Sequence, residues 1–295
     1  MLKKPTLKAA AFAAMMLGAY LPSSTFAGEA SKETKPIVEE ATKSCITGDL
    51  GVTFVTKYFS RGINNGDQGV IAQPYTDLYF KVYDGGDSFI NAVTINASVW
   101  SSIHSHEIDG ANSGVRNWQE FDWTPGIAIT FAKNFTLTTS YFEFDYPSGA
   151  SDPQRSINVN LAYNDSDLLG MWALHPHIAV LAELPGAAAG LTPNGWYFEP
   201  GIAPSFALVK DGMFPVTLTL PVMAGFGYRF YGEDTFGYFS AGGNVAVGLG
   251  FMPKCLGTWT ATIGAQYYYL HEQLAIVNNH RHNDWVGSAA LGVAF

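Results

Sequence analysis

The chain has 295 residues, of which 14% are charged, 47% apolar and 14% aromatic, with 31 glycines. So apolar and charge-poor a composition excludes a disordered chain, and 16 basic against 25 acidic residues exclude a nucleic-acid binder, whose phosphate contacts need the opposite balance. No run of 18 apolar residues occurs, so no transmembrane helix is predicted, which leaves a β-rich secreted protein or a transmembrane β-barrel.

Residues 1–27 read as a cleaved secretory signal. Lys3, Lys4 and Lys8 precede an apolar run from Ala9 to Leu21, Pro22 ends it, and Thr25 and Ala27 supply small residues for a cut before Gly28. The apolar run is too short to span a bilayer. Removing it takes away three lysines and no acid, so the formal charge moves from −9 to −12. No cysteine stands at the cut, so no lipid anchor is expected. Residues 28–47, polar and mixed in charge, are expected to form a periplasmic N-terminal segment ahead of a barrel over residues 48–295.

After Gly48 apolar residues recur at every second position, the strand period. Twelve such segments follow in chain order: 50–59, 77–82, 89–99, 120–131, 135–141, 157–163, 172–184, 196–208, 216–230, 239–251, 258–267 and 285–295. Their polar faces carry Thr, Ser, Asn and Gly with few charges. A soluble sandwich places Lys and Glu on its wet face; a barrel lumen tolerates small neutral groups, while its outer face must be apolar because lipid offers no hydrogen bonds. The connections support the same reading. Short ones (84–87, 132–134, 164–167, 210–212, 252–257) alternate with long ones (61–69, 102–117, 147–154, 185–194, 271–283), and only 232–235 breaks the order. Short periplasmic turns and long outer loops are the pattern of outer-membrane barrels, and with both termini periplasmic every short turn falls on that side. Trp100, Trp118, Trp196 and Trp285 fall at outer strand ends and Trp172 and Trp259 at inner ends, as the two interfaces of a membrane favour. The fold class is therefore all-β: an antiparallel transmembrane β-barrel of about twelve strands in a bacterial outer membrane.

The last strand ends Leu291, Gly292, Val293, Ala294, Phe295. Alternate apolar residues closing on Phe295 resemble the assembly signal of bacterial outer-membrane proteins, which implies insertion by the barrel-assembly machinery. The stretch from Val52 to Ile63, an aromatic strand followed by Arg61-Gly62-Ile63, resembles the opening of porins of the TorF type. This resemblance covers about a dozen residues and implies a porin-like protein.

Lys57, Arg61, Asp77, Lys81, Glu120, Asp122, Glu183, Glu199 and Arg229 project inward on this phasing and are the candidate pore-lining charges. Rings of charge set ion preference, and five acids against four bases imply a mild preference for cations; the alternative is that they neutralise one another in a blocked lumen. Tyr75, Tyr79 and Tyr197 on the same faces either line a solute path or fill space. Cys45 and Cys255 are the two cysteines, both expected at the periplasmic end of an oxidising compartment. They form a candidate disulfide, with two free thiols as the alternative. His175 and His177, two apart on one strand face, are weak metal candidates because no third ligand accompanies them; no metal and no cofactor is expected.

No G-x-S-x-G, P-loop or dinucleotide fingerprint occurs. A barrel phospholipase needs a Ser beside a His on one strand face, and no Ser follows His175 at that spacing. A barrel protease needs acid–His pairs at the outer rim, where His106 with Glu107 and Asp109 is the one such cluster. The expected function is therefore not enzymatic: a porin-like channel for passive diffusion of small polar solutes or ions. Its partners are outer-membrane lipid and those solutes, not nucleic acid. A closed structural or adhesive barrel is the first alternative and a lipid-modifying barrel the second. No feature assigns a number of copies, and a homo-oligomer stays open.

Overall fold

The computed structural model describes residues 45–185 and 190–295. The signal segment and most of the N-terminal lead-in, up to residue 44, lie outside the described residues. Twelve antiparallel strands close into a barrel. We label them β1 (Ile46–Val55), β2 (Ile71–Asp84), β3 (Ile90–His104), β4 (Trp118–Phe131), β5 (Phe135–Asp145), β6 (Gln154–Tyr163), β7 (His177–Glu183), β8 (Trp196–Ile202, continuing as Ser205–Val209), β9 (Val216–Thr219, continuing as Val222–Tyr231), β10 (Asp234–Gly248), β11 (Thr258–Leu270) and β12 (Asn283–Ala294). Each strand pairs with its neighbours in sequence, and β1 closes the ring on β12 with Val52 opposite Leu291 and Phe54 opposite Ala289. Closure leaves no open edge, the requirement for backbone in lipid. Among the described residues no helix is long and apolar enough to cross a membrane.

The two-residue period explains which face goes where. Along β5, Thr136, Thr138, Ser140, Phe142 and Phe144 turn inward and are buried, while Leu137 and Tyr141 between them are partly exposed. Outward positions elsewhere are exposed and apolar: Leu50 and Phe54 on β1, Ile95 and Val99 on β3, Ile127 on β4, Ile263 on β11 and Leu291 on β12. Exposed aliphatic residues on so many strands form a surface suited to lipid. At 14 to 15 residues, β2, β3, β4 and β10 are longer than the 9–11 a tilted strand needs to cross a bilayer, so they stand proud of it.

Three departures from simple strands have local causes. First, β8 and β9 are each interrupted beside a proline, Pro204 and Pro221, which lacks the N–H a ladder needs. The breaks face one another: the Leu220 N–H donates to the Pro204 carbonyl at 2.9 Å and the Gly242 N–H to the Pro221 carbonyl at 3.0 Å. Second, β9 bulges between Phe226 and Tyr231 against β10, where Arg229 takes a φ of 61°. Third, the expected strand over 172–184 starts only at His177. Residues 166–172 instead form a helical turn, α1 (Ser166–Leu169), followed by a 3-10 turn (Gly170–Trp172). Trp172 is exposed there rather than at a strand end, and the connection from β6 to β7 is long instead of short.

We call the rim holding Cys45 and Phe295 the proximal rim and the opposite one the distal rim. After β1 the chain does not run out as a distal loop. It turns into the lumen as a small hairpin, Tyr58–Ser60 paired with Ile63–Gly66. Its tip residues, Arg61 and Gly62, both have positive φ (50° and 82°), as the type I′ turn of a tight hairpin demands. The last distal connection also turns inward, as α2 (Glu272–Val277), with Leu274 and Ala275 buried.

Candidate functional site

The hairpin and α2 together fill the distal half of the lumen. Tyr58 and Phe59 have 0% and 1% of their surface exposed and Arg61 has 6%, values of a packed interior. Phe59 stacks on Tyr268 of β11 with centroids 4.9 Å apart, and Tyr58 lies 5.4 Å from the Trp100 ring of β3. The Arg61 guanidinium sits over the Phe144 ring at 5.1 Å, a cation–π geometry. Ile71, Leu181, Tyr197, Phe230, Tyr231, Leu270 and Val286 complete this aromatic and aliphatic core.

Polar contacts fix the hairpin in register. The Tyr58 hydroxyl donates to Glu120 Oε2 at 2.8 Å, and the Tyr231 hydroxyl donates to the Arg61 carbonyl at 3.0 Å. Asn278, just past α2, grips the tip from both sides: its Nδ2 donates to the Gly62 carbonyl at 2.8 Å, and its Oδ1 accepts from the Asn64 N–H at 2.7 Å. Lys57 pairs with Asp284, and Arg281 with Asp67 at 3.5 Å. A Cβ at Gly62 would come within 2.6 Å of Leu274 and 2.8 Å of Tyr238, so the tip accepts only glycine on grounds of both space and φ.

The rest of the wall is different in kind. Asn96 on β3, Ser140 on β5 and Asn158 on β6 share a register row with Gly126 of β4. Asn160, Ala179 and Glu199 share another across β6 to β8. Asn244 of β10 lies opposite Gly264 of β11, which lies opposite Ser288 of β12. All these side chains face inward and are buried or nearly so. Yet Asn96 Oδ1, Asn158 Oδ1, both side-chain polar atoms of Asn160 and both of Asn244 have no hydrogen-bond partner among the described residues. Glu199 accepts through one oxygen, Oε2, from the Tyr197 and Tyr238 hydroxyls, while Oε1 has no such partner. A buried polar atom without a protein partner is costly unless water or a solute satisfies it.

The nine candidate charges fall into four groups. Asp77 lies on the wall, and Glu199 lies where the wall meets the plug, bonded to Tyr238, which packs against Gly62; both are buried. Arg61, Glu120 and Asp122 are buried with the hairpin in the distal half. Lys57 is at the base of the hairpin in its ion pair with Asp284, and Lys81 is at the proximal rim, exposed and 3.5 Å from Asp84. Glu183 and Arg229 do not line a path. Glu183 accepts from the Gly190 and Gly195 N–H groups at 2.8 and 2.7 Å and so shapes the connection to β8. Arg229 is exposed because the β9 bulge breaks the alternation that would have turned it inward, and Phe230 and Tyr231 enter the core instead.

Cys45 and Cys255 are free and exposed, so the candidate disulfide is not formed in this structure. The reason is topological: Cys45 precedes β1 and Cys255 precedes β11, with β12 between them. Two strand spacings are about 9.6 Å, beyond the ~4.4–6.8 Å between Cα atoms that a disulfide bridges. His175 and His177 do not share a strand face. His175 lies in the turn with a φ of 49°, and His177 Nδ1 is 3.3 Å from the His175 carbonyl oxygen.

One pairing escaped the sequence reading. Ser102 Oγ and His104 Nε2, two residues apart on the inner face of β3, are 3.0 Å apart. The spacing was visible in the sequence, with the Ser before the His. Both are buried, and the hairpin covers them: a Cβ at Gly66 would lie 2.4 Å from the His104 ring.

No family model matches the chain, and no curated protein matches it. Solved structures do. An outer-membrane channel from Pseudomonas putida F1 is 12% identical, with 89% of this chain and all of that one covered, at a TM-score of 0.50. The chain shares the fold of bacterial outer-membrane barrels. The porin NanC (13% identity, 84% and 98% covered, TM-score 0.39) and outer-membrane phospholipase A from Escherichia coli (10% identity, 83% and 91% covered, TM-score 0.38) are more distant matches. At such identities the likeness is one of fold.

Proposed function

We propose that this protein is an outer-membrane channel for small polar solutes, closed across its distal half by its own first loop. The observation that carries the reading is the wall outside the plug. A barrel built only as a structural element fills its lumen with apolar or mutually bonded side chains. Here the inward positions of β3, β5, β6 and β10 carry Asn96, Ser140, Asn158, Asn160 and Asn244 instead of apolar side chains, a polar lining that suits a lumen water can enter.

In this reading residues 1–27 are removed on export, the proximal rim and both termini face the periplasm, and the strand ending at Phe295 is read by the barrel-assembly machinery. The stretch that resembles porins of the TorF type gains a role, since Arg61 and Gly62 form the plug tip. In this reading the protein carries out no reaction, and Ser102 and His104 lie under the hairpin in the closed state. The packed aromatic core of the distal half favours one other reading, a permanently closed barrel acting through its distal loops.

Planar-bilayer recording of the purified protein across a salt gradient separates the two. The channel reading expects discrete steps, with a reversal potential showing mild cation preference, because inward acids outnumber inward bases. Absence of steps from a barrel that keeps its heat-dependent gel mobility, in wild type and in Asn278→Ala alike, would leave only the closed barrel.

A further inference from the structure

We infer that Arg61 stands in for the channel's own solute: the seat it fills inside the barrel receives organic cations of the guanidinium class when the hairpin withdraws, and such cations thereby favour the open form. The inference rests on the channel reading and names its solute.

Three carboxylates make the seat. Glu120 and Asp122 are two residues apart on the inner face of β4, and Glu199 comes from β8. All three are buried, and each interacts electrostatically with the Arg61 guanidinium. The seat also has an aromatic surface, the Phe144 ring of β5, 5.1 Å from the guanidinium carbon. Acidic oxygens around it and a ring against its face are the two kinds of partner that a planar guanidinium takes best, through forked hydrogen bonds and cation–π attraction.

The turn itself does not ask for arginine. Arg61 has a φ of 50°, and the first central position of such a turn suits Asn, Asp or Gly, because a larger side chain is strained there. The long cationic side chain is explained by what its head meets, not by the shape of the hairpin.

Withdrawal of the hairpin unbalances the seat. It takes away the Arg61 charge and the Tyr58 hydroxyl that donates to Glu120. Three carboxylates then face a lumen narrower and less polarisable than bulk water, where charges of one sign need a counter-charge. Lys57 is engaged by Asp284, and Arg229 is exposed, so the replacement comes from solution. A neutral solute brings no charge and an anion brings the wrong one. A small hydrated ion brings the charge without the flat, weakly hydrated face that lies on Phe144. While the hairpin is in place the seat is full, so a cation from solution binds only the withdrawn form. A ligand that binds one of two forms shifts the equilibrium toward it.

Ethylguanidinium and ethylurea, nearly equal in shape and different in charge, test this. In planar bilayers at constant ionic strength, millimolar ethylguanidinium is expected to raise the open probability of wild type several-fold, and ethylurea to leave it unchanged. The double variant Glu120→Gln, Asp122→Asn is expected to conduct and to lose that difference. Arg61→Gly, which suits the positive φ, gives a second readout that needs no current. Its thermal unfolding midpoint in neutral detergent, followed by circular dichroism, should rise by about 2–4 °C at about five times the dissociation constant of ethylguanidinium. No rise is expected in ethylurea, and none in wild type, whose seat is taken. Channel steps that respond alike to the two compounds would overturn the inference and leave the channel reading standing. So would an Arg61→Gly midpoint indifferent to both. No steps in any form would overturn the channel reading, and this inference with it.

Discussion

Asn278 makes two contacts that no neighbour duplicates, to the Gly62 carbonyl and the Asn64 N–H. Replacing it with Ala leaves the buried Gly62 carbonyl without that partner, at about 1–3 kcal/mol, and removes the part-buried contact of the Asn64 N–H as well. The hairpin is expected to loosen, and amide hydrogen exchange over Tyr58–Gly66 should quicken by tenfold or more while β5 and β6 are unchanged. Asp165 is a second single-residue anchor, in the proximal connection outside the membrane-spanning strands. Burial works against its charge, but the Leu174 and His175 N–H groups, at 3.0 and 2.9 Å, outweigh burial and hold the carboxyl below its usual value. A lowered carboxyl contributes stability that is present above its unfolded value of about 3.8 and lost as pH falls through the folded value. His175 is lowered by burial, with Asp165 opposing. Its neutral form is the stabilised one, so its contribution is complete above 6.5 and declines as pH falls toward the folded value. Both groups therefore weaken this turn in acid, His175 first. The temperature at which the barrel loses its compact gel mobility should fall between pH 7.5 and 5.5, and less so in His175→Asn, where Asn tolerates the positive φ. Asp165→Ala should lower it at neutral pH as well.

Among the elements, the strands were legible in the sequence and the plug was not. The two-residue period holds through β2 to β6, several of which run longer than the alternation suggested (β2 over 71–84 instead of 77–82, β3 to 104 instead of 99), because lipid outside and a polar wall inside both enforce it. The hairpin is hidden by the same rule. Tyr58 and Phe59 continue the aromatic pattern of β1, and nothing in an alternating pattern distinguishes a strand that goes on from one that turns into the lumen. The bulge at Arg229 is hidden for a related reason, since one extra residue reverses the phase of all that follows, and the reversal hands Phe230 to the core and Arg229 to solvent. Glu183 read as a lumen charge because its partners, the Gly190 and Gly195 N–H groups, are backbone and leave no mark in the sequence. The packing between these elements gives its own prediction. A Cβ at Gly225 would fall 2.2 Å from the Tyr238 ring, and one at Gly237 would fall 2.2 Å from the Tyr231 ring. Gly225→Val should cost about 1–3 kcal/mol through overpacking, seen as a lower temperature for the gel-mobility transition.

At the scale of the molecule, the barrel has two unlike halves. The distal half is packed like the interior of a soluble protein, with the hairpin and α2 as its contents, and the loops that supply them leave β1 and enter β12, which are neighbours in the ring. The other wall is a polar surface with unmet hydrogen-bonding capacity. Such a division suits a channel whose resistance lies in one removable element. Single-channel current of wild type against Asn278→Ala, in one lipid and one salt, tests this most directly. The account predicts rare or small openings in wild type, and a conductance or open probability at least several-fold higher in the variant, with gel mobility showing an intact barrel. Identical currents in the two, or silence in both, would contradict it.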